Sequence, residues 1–104
     1  MAATRYILRD GKPVRCDDLV EWSQWIGDVR NFRVGYDELP GAVRVSTAFL
    51  GVAPAAAKSP LLFQTNIFGG QLNGFDLMYH TLEEARAGHA AAVSRAREVG
   101  ERAQ

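Results

Sequence analysis

The chain has 104 residues, 47% of them hydrophobic and 23% charged, a balance that fits one globular core and leaves no length for a second domain. Its 12 basic and 12 acidic side chains cancel to a net charge of zero. That excludes a general nucleic-acid binder, which needs a positive field to displace phosphate counterions, and removes one barrier to self-association. Cys16 is the lone cysteine, so no internal disulfide holds the fold, as expected of a reducing, cytoplasmic compartment. The first fifteen residues carry Arg5, Arg9, Asp10, Lys12 and Arg15 and do not read as a signal peptide; no apolar run is long enough to span a bilayer.

In chain order, residues 5–9 (RYILR) read as a short strand, and Asp10-Gly11-Lys12-Pro13 as a turn. Asp17 or Asp18 then caps a helix predicted to run to about Val29. Leu19, Trp22, Ile26 and Val29 form its apolar stripe, with Trp25 near the edge.

Phe32, Val34 and Tyr36 alternate with polar residues as a half-buried strand, and Val43, Val45, Thr47 and Phe49 do so again beyond Pro40-Gly41. A hairpin pairing Tyr36 with Val45, Val34 with Thr47 and Asp37 with Arg44 puts apolar pairs on one face and the ion pair on the other. A loop of about four residues is expected, because trans Pro-Gly suits a tight two-residue hairpin poorly.

Residues 53–60 (APAAAKSP) read as a small-residue loop, and residues 61–68 (LLFQTNIF) as a third strand, central in the sheet. Gly69-Gly70 ends it, and residues 78–80 add a short edge strand. Thr81 and Glu84 form a capping box that opens a helix from Thr81 to about Gly100. Its inner stripe is Leu82, Ala85, His89, Ala92, Val93 and Ala96, small enough to lie close on a sheet.

The predicted architecture is a single α+β domain over residues 1–104. It is a two-layer sandwich in which two helices cover a mainly antiparallel sheet of four or five strands, in the order β-α-β-β-β-(β)-α. Trp22, Ile26, Phe49, Ile67 and Val93 are expected to meet in one dry interior. If both helices share a face, the other face carries Arg33, Asp37, Arg44, Ser46, Gln64 and Asn66, with Leu50 and Phe68 among them.

Catalytic and metal signatures are sparse. His80 and His89 are nine apart with Cys16 remote, which is no zinc spacing. His89 reads as a seam histidine with its nitrogens satisfied, and His80 as exposed before the helix cap. Cys16 just ahead of a helix N-terminus would have a lowered pKa, yet no partners assemble a triad with it. Gly69-Gly70 and Gly74 lack the order of a phosphate loop, and helix capping accounts for Asp17-Asp18. No catalytic, cofactor or metal residue is assigned. The candidate partner-binding residues are Trp25, Arg33, Tyr36, Arg44 and Asn66.

Four stretches, YILRDGKPVRCDDLVEWSQWI (6–26), RVSTAFLG (44–51), PLLFQTNIFGG (60–70) and HTLEEARAGHAAAV (80–93), resemble a family of small uncharacterised proteins frequent in bacteriophages and prophages. Related sequences often carry Trp where Leu82 stands and a longer acidic loop near residues 53–59. The resemblance implies a viral or mobile-element accessory protein and supplies no activity. The expected function is binding of a host protein or small ligand without a cofactor. A homo-oligomeric assembly role is the alternative, and an enzyme using His80, His89 or Cys16 the weaker one.

Overall fold

The computed structural model describes residues 3–102. Its elements are β1 (Ala3–Arg9), β2 (Lys12–Arg15), α1 (Leu19–Ile26), α2 (Val29–Phe32), β3 (Arg33–Leu39), β4 (Val43–Phe49), β5 (Val52–Pro54), β6 (Phe63–Phe68), β7 (Asp76–Tyr79) and α3 (Leu82–Arg102). The class is the expected antiparallel α+β sandwich, but the strands divide between two sheets, ordered β2-β1-β5 and β3-β4-β6-β7. The split arises at β5, which overlaps the start of the expected loop and pairs with β1, drawing that strand away from the main sheet.

Helix α1 starts where Asp18 accepts hydrogen bonds from the amides of Val20 (2.9 Å) and Glu21 (3.1 Å). It stops at Ile26, short of Val29, because Asp28 caps a separate turn of helix through the Arg30 amide at 2.9 Å. The Arg30 guanidinium beside it holds the Asp28 carboxyl below the usual carboxylate range. The ends of the expected stripe, Leu19 and Val29, are consequently exposed. At α3 the capping box forms in full: Thr81 Oγ1 accepts from the Glu84 amide, and Glu84 Oε1 accepts from the Thr81 amide, both at 3.1 Å. No helix among the described residues is long and apolar enough to cross a membrane.

The hairpin β3–β4 departs from expectation by one residue. Leu39 pairs with Val43, Asp37 with Val45 and Tyr36 with Ser46 across a three-residue turn, and the expected register survives only at Arg33–Ala48, beyond a bulge at Val34. A one-residue slip exchanges the faces of a strand. Gly35, Asp37 and Leu39 therefore point to the helix side and Tyr36 points away, so Asp37 faces α3 and not Arg44.

Strand β6 sits centrally between β4 and β7, as expected, with Phe63, Thr65 and Ile67 buried on the helix side and Gln64, Asn66 and Phe68 on the other. Helix α3 lies across β3, β4, β6 and β7. Trp25 of α1 meets Phe49 edge-on at 5.6 Å, and Ala85 of α3 joins the same cluster, so both helices lie on one face. The interior is not one dry core but two clusters. Phe49, Leu62, Phe63 and Ala85 make the first, and Leu39, Val45, Ile67, Ala92 and Ala96 the second, with Val93 against it. Burying each large side chain of these clusters contributes about 1.5–3 kcal/mol. Trp22 lies at the periphery, its indole N–H donating to the Gly51 carbonyl at 3.1 Å.

Candidate functional site: a polar chain at the helix–sheet seam

Strict alternation along β4 and β6 places Thr47 between Val45 and Phe49, and Thr65 between Phe63 and Ile67, on the helix-facing side. Both threonines are wholly buried. Their hydroxyls lie 2.5 Å apart, and Tyr79 at the end of β7 donates to Thr65 at 3.1 Å. On the other side Thr47 Oγ1 is 2.7 Å from His89 Nδ1, and His89 Nε2 is 2.7 Å from Asp37 Oδ2. Five side chains from four strands and one helix thus form one line: Tyr79, Thr65, Thr47, His89, Asp37.

The line fixes a direction. With the imidazole hydrogen on Nε2, Tyr79 donates to Thr65, Thr65 to Thr47, Thr47 to Nδ1, and Nε2–H to the Asp37 carboxylate. Every buried hydroxyl then donates once, and no donor is left unpaired, which is what a dry interior demands. The His89 side chain is 12% exposed and that of Asp37 44%, so the carboxylate is the end that meets solvent.

Two glycines clear space for this line. A Cβ built on Gly35 would fall 2.7 Å from His89 Cδ2, and one on Gly88 would strike the Tyr79 hydroxyl and ring. The Gly88-His89 pair therefore has a packing reason: one residue admits Tyr79 and the next completes the chain.

The Asp37 end opens on a cleft of about 600 Å³ between β3 and α3, lined by His89, Ala90, Val93, Ser94, Arg97 and Glu98. A second lobe of about 560 Å³ follows where the β3–β4 turn meets the end of α3, walled by Leu39, Val43, Leu72, Ala96 and Val99. Arg97 and Glu101 line both lobes, so they form one groove along the seam. Gly100 lines the second lobe, and a Cβ there would meet nothing within 4 Å.

The residues singled out from sequence fall elsewhere. Trp25 is packed into the first cluster. Arg33, Tyr36, Arg44 and Asn66 share the open face of the four-stranded sheet, where Arg33 stacks over Tyr36 at 4.7 Å and Arg44 over Phe68 at 5.4 Å. Tyr36, Ser46, Asn66 and Asp76 make a row across that face. Asp37, expected among them, lies on the opposite side. His80 is exposed, its Nδ1 3.1 Å from the Pro60 carbonyl.

Cys16 reverses its expectation. Burial pushes the thiol pKa up, and the Glu21 carboxylate, 3.6 Å from the sulfur, pushes the same way. Desolvation and a like charge outweigh the one opposing influence, the backbone contact at Asp18. Among the described residues no group of three His, Cys, Asp or Glu side chains is placed to hold a metal ion. Comparison with models of known protein families, with curated proteins and with solved structures found no match, so the geometry of the site stands without a relative to read it against.

Proposed function

We propose that the protein acts by binding a ligand rather than by catalysis, with the α3–β3 groove as its site. The ligand is a small molecule or a short segment of a host protein, met in the cytoplasm. Such a role fits the small bacteriophage and prophage proteins that the sequence resembles.

One contrast carries the reading: the groove is open and of ligand size, while the reactive groups beneath it are engaged with one another. Both nitrogens of His89 have partners within the fold, and Thr47 has no exposure. A hydroxyl nucleophile needs access to its substrate, and Thr47, the hydroxyl that His89 is placed to activate, has none. What the site offers a visitor is the fixed Asp37 carboxylate, the Arg97 and Glu101 side chains at the junction of the lobes, and an apolar wall.

Gly100→Trp tests the reading, because its side chain would enter the second lobe from a position that packs against nothing. Wild type and variant are recovered from bacterial lysate and compared by native mass spectrometry. A bound mass on the wild type that is lost from the variant is the expected result. Equal occupancy of both proteins, or none on either, removes the groove as the site.

A further inference from the structure

Four strands lie at sheet edges, and among the described residues three of them are guarded. Strand β2 carries Lys12 and Pro13, β5 is three residues long and ends in Pro54, and β3 has the bulge at Val34 with Glu38 exposed on it. Proline, charge, shortness and bulges are the devices by which edge strands avoid pairing with other chains. Strand β7, Asp76–Tyr79, is as short as β2 and carries one exposed charge, Asp76, but has no proline, lysine or register shift. It is also apolar at its edge: Leu77 is 50% exposed, and Phe75, Met78 and the nearby Leu61 are exposed as well.

We propose that the β7 edge is a homodimer interface, in which a second copy of the chain adds its own β7 antiparallel and joins the two four-stranded sheets into one. The backbone fixes the register. The carbonyls of Phe75 and Tyr79 accept hydrogen bonds from Ile67 and Leu62 on the β6 side. Because direction alternates along a strand, the N–H and C=O groups of Asp76 and Met78 point to the free edge. Four hydrogen bonds between the copies use all of these groups when Leu77 sits on the two-fold axis opposite Leu77 of the second copy. That is the close, non-hydrogen-bonded kind of pair, and it brings the two exposed leucines together. The same register sets Asp76 opposite Met78 of the second copy, with His80 and Asp76 of that copy on its two diagonals, so each carboxylate has an imidazole on one side and a like charge on the other. A net charge of zero opposes none of this.

Sedimentation equilibrium from low micromolar to millimolar concentration tests the dimer, with Leu77→Lys as the comparator. The lysines would oppose each other across the axis, and at half exposure the change leaves the core alone. We expect the dissociation constant to rise at least about tenfold, with an unchanged far-ultraviolet circular dichroism spectrum. In a Cys16→Ser background, Leu77→Cys should form an interchain disulfide far faster than Val20→Cys, a control at a more exposed position. A monomer at every concentration, a dimer indifferent to Leu77→Lys, or equal crosslinking at positions 77 and 20 would overturn the proposal. The crosslinking comparison stands even if the lysine variant fails to fold.

Discussion

Thr65→Val cuts the polar chain at its centre while keeping the shape of the side chain. The Tyr79 hydroxyl loses its acceptor at 3.1 Å, and Thr47 loses the hydroxyl 2.5 Å away. A buried donor left unpaired costs about 1–3 kcal/mol, so about 2 kcal/mol of stability should be lost, a fall of roughly 10 °C in Tm for a domain of this size. Tyr79→Phe alone removes the donor and leaves only a lone pair on Thr65 unused, a cost of about 1 kcal/mol. In the double variant no hydroxyl at position 79 remains to be orphaned, so its cost should fall about 1 kcal/mol or more below the sum of the singles. Urea denaturation of the four proteins, with m-values compared to confirm a common unfolded state, closes the cycle. Single costs that add to within about 0.5 kcal/mol would mean that the two side chains are not coupled, and the directional chain would be refuted.

Two glycines of α3 should respond in opposite senses to the same change. Gly88→Ala gains helix propensity of about 1 kcal/mol but drives a methyl into the Tyr79 hydroxyl and ring, and overpacking of about 1–3 kcal/mol or more wins. Gly100→Ala meets nothing within 4 Å and should stabilise the chain by up to about 1 kcal/mol, which calorimetry can resolve. The raised thiol pKa of Cys16 has a definite sign: its contribution to stability is whole below the unfolded value of about 9.0 and is lost as pH rises through the higher folded value. Denaturation midpoints should therefore fall more between pH 8 and pH 10 in the wild type than in Cys16→Ser, a comparison that subtracts all other titrating groups; equal falls would count against it. Trp22→Phe keeps the ring but removes the bond to Gly51, and should cost about 1 kcal/mol in the same assay.

Local chemistry made much of the fold legible. Asp18, the Thr81–Glu84 box and the alternation in β4 and β6 act over a few residues, and each element stands where those signals put it. The errors have a common origin in tertiary contacts. Nothing near Val34 announces a bulge, yet that single residue turns Asp37 from the open face to the seam. The alternation of β4 puts Thr47 among apolar positions, while Thr65 and Gly88 stand in the sequence only as a strand hydroxyl and a helix glycine beside a histidine. Their meaning depends on Tyr79 and Asp37, remote in sequence. The groove belongs to neither α3 nor β3 alone, so neither element's pattern could show it.

The polar chain also bears on what the site is for. Domains are stable by only about 5–15 kcal/mol, and replacing hydrogen-bonded partners together by apolar groups of similar shape is often close to neutral. Stability alone is therefore a weak reason for five polar side chains in the middle of so small an interior. A stronger one is specificity, since the line can form only in the register that turns Asp37 inward, and it then holds that carboxylate fixed at the groove. The fourfold variant Thr47→Val, Thr65→Val, Tyr79→Phe, His89→Leu separates the two reasons. It leaves Asp37 at a site where water can reach it, since that side chain is 44% exposed. If the chain exists to place Asp37, this variant should keep its unfolding free energy to within about 1 kcal/mol while the Asp37 and Leu39 amide resonances broaden or double, as the register loses its lock. A loss of several kcal/mol with sharp, unchanged resonances would make the chain a structural brace and detach Asp37 from any role in binding.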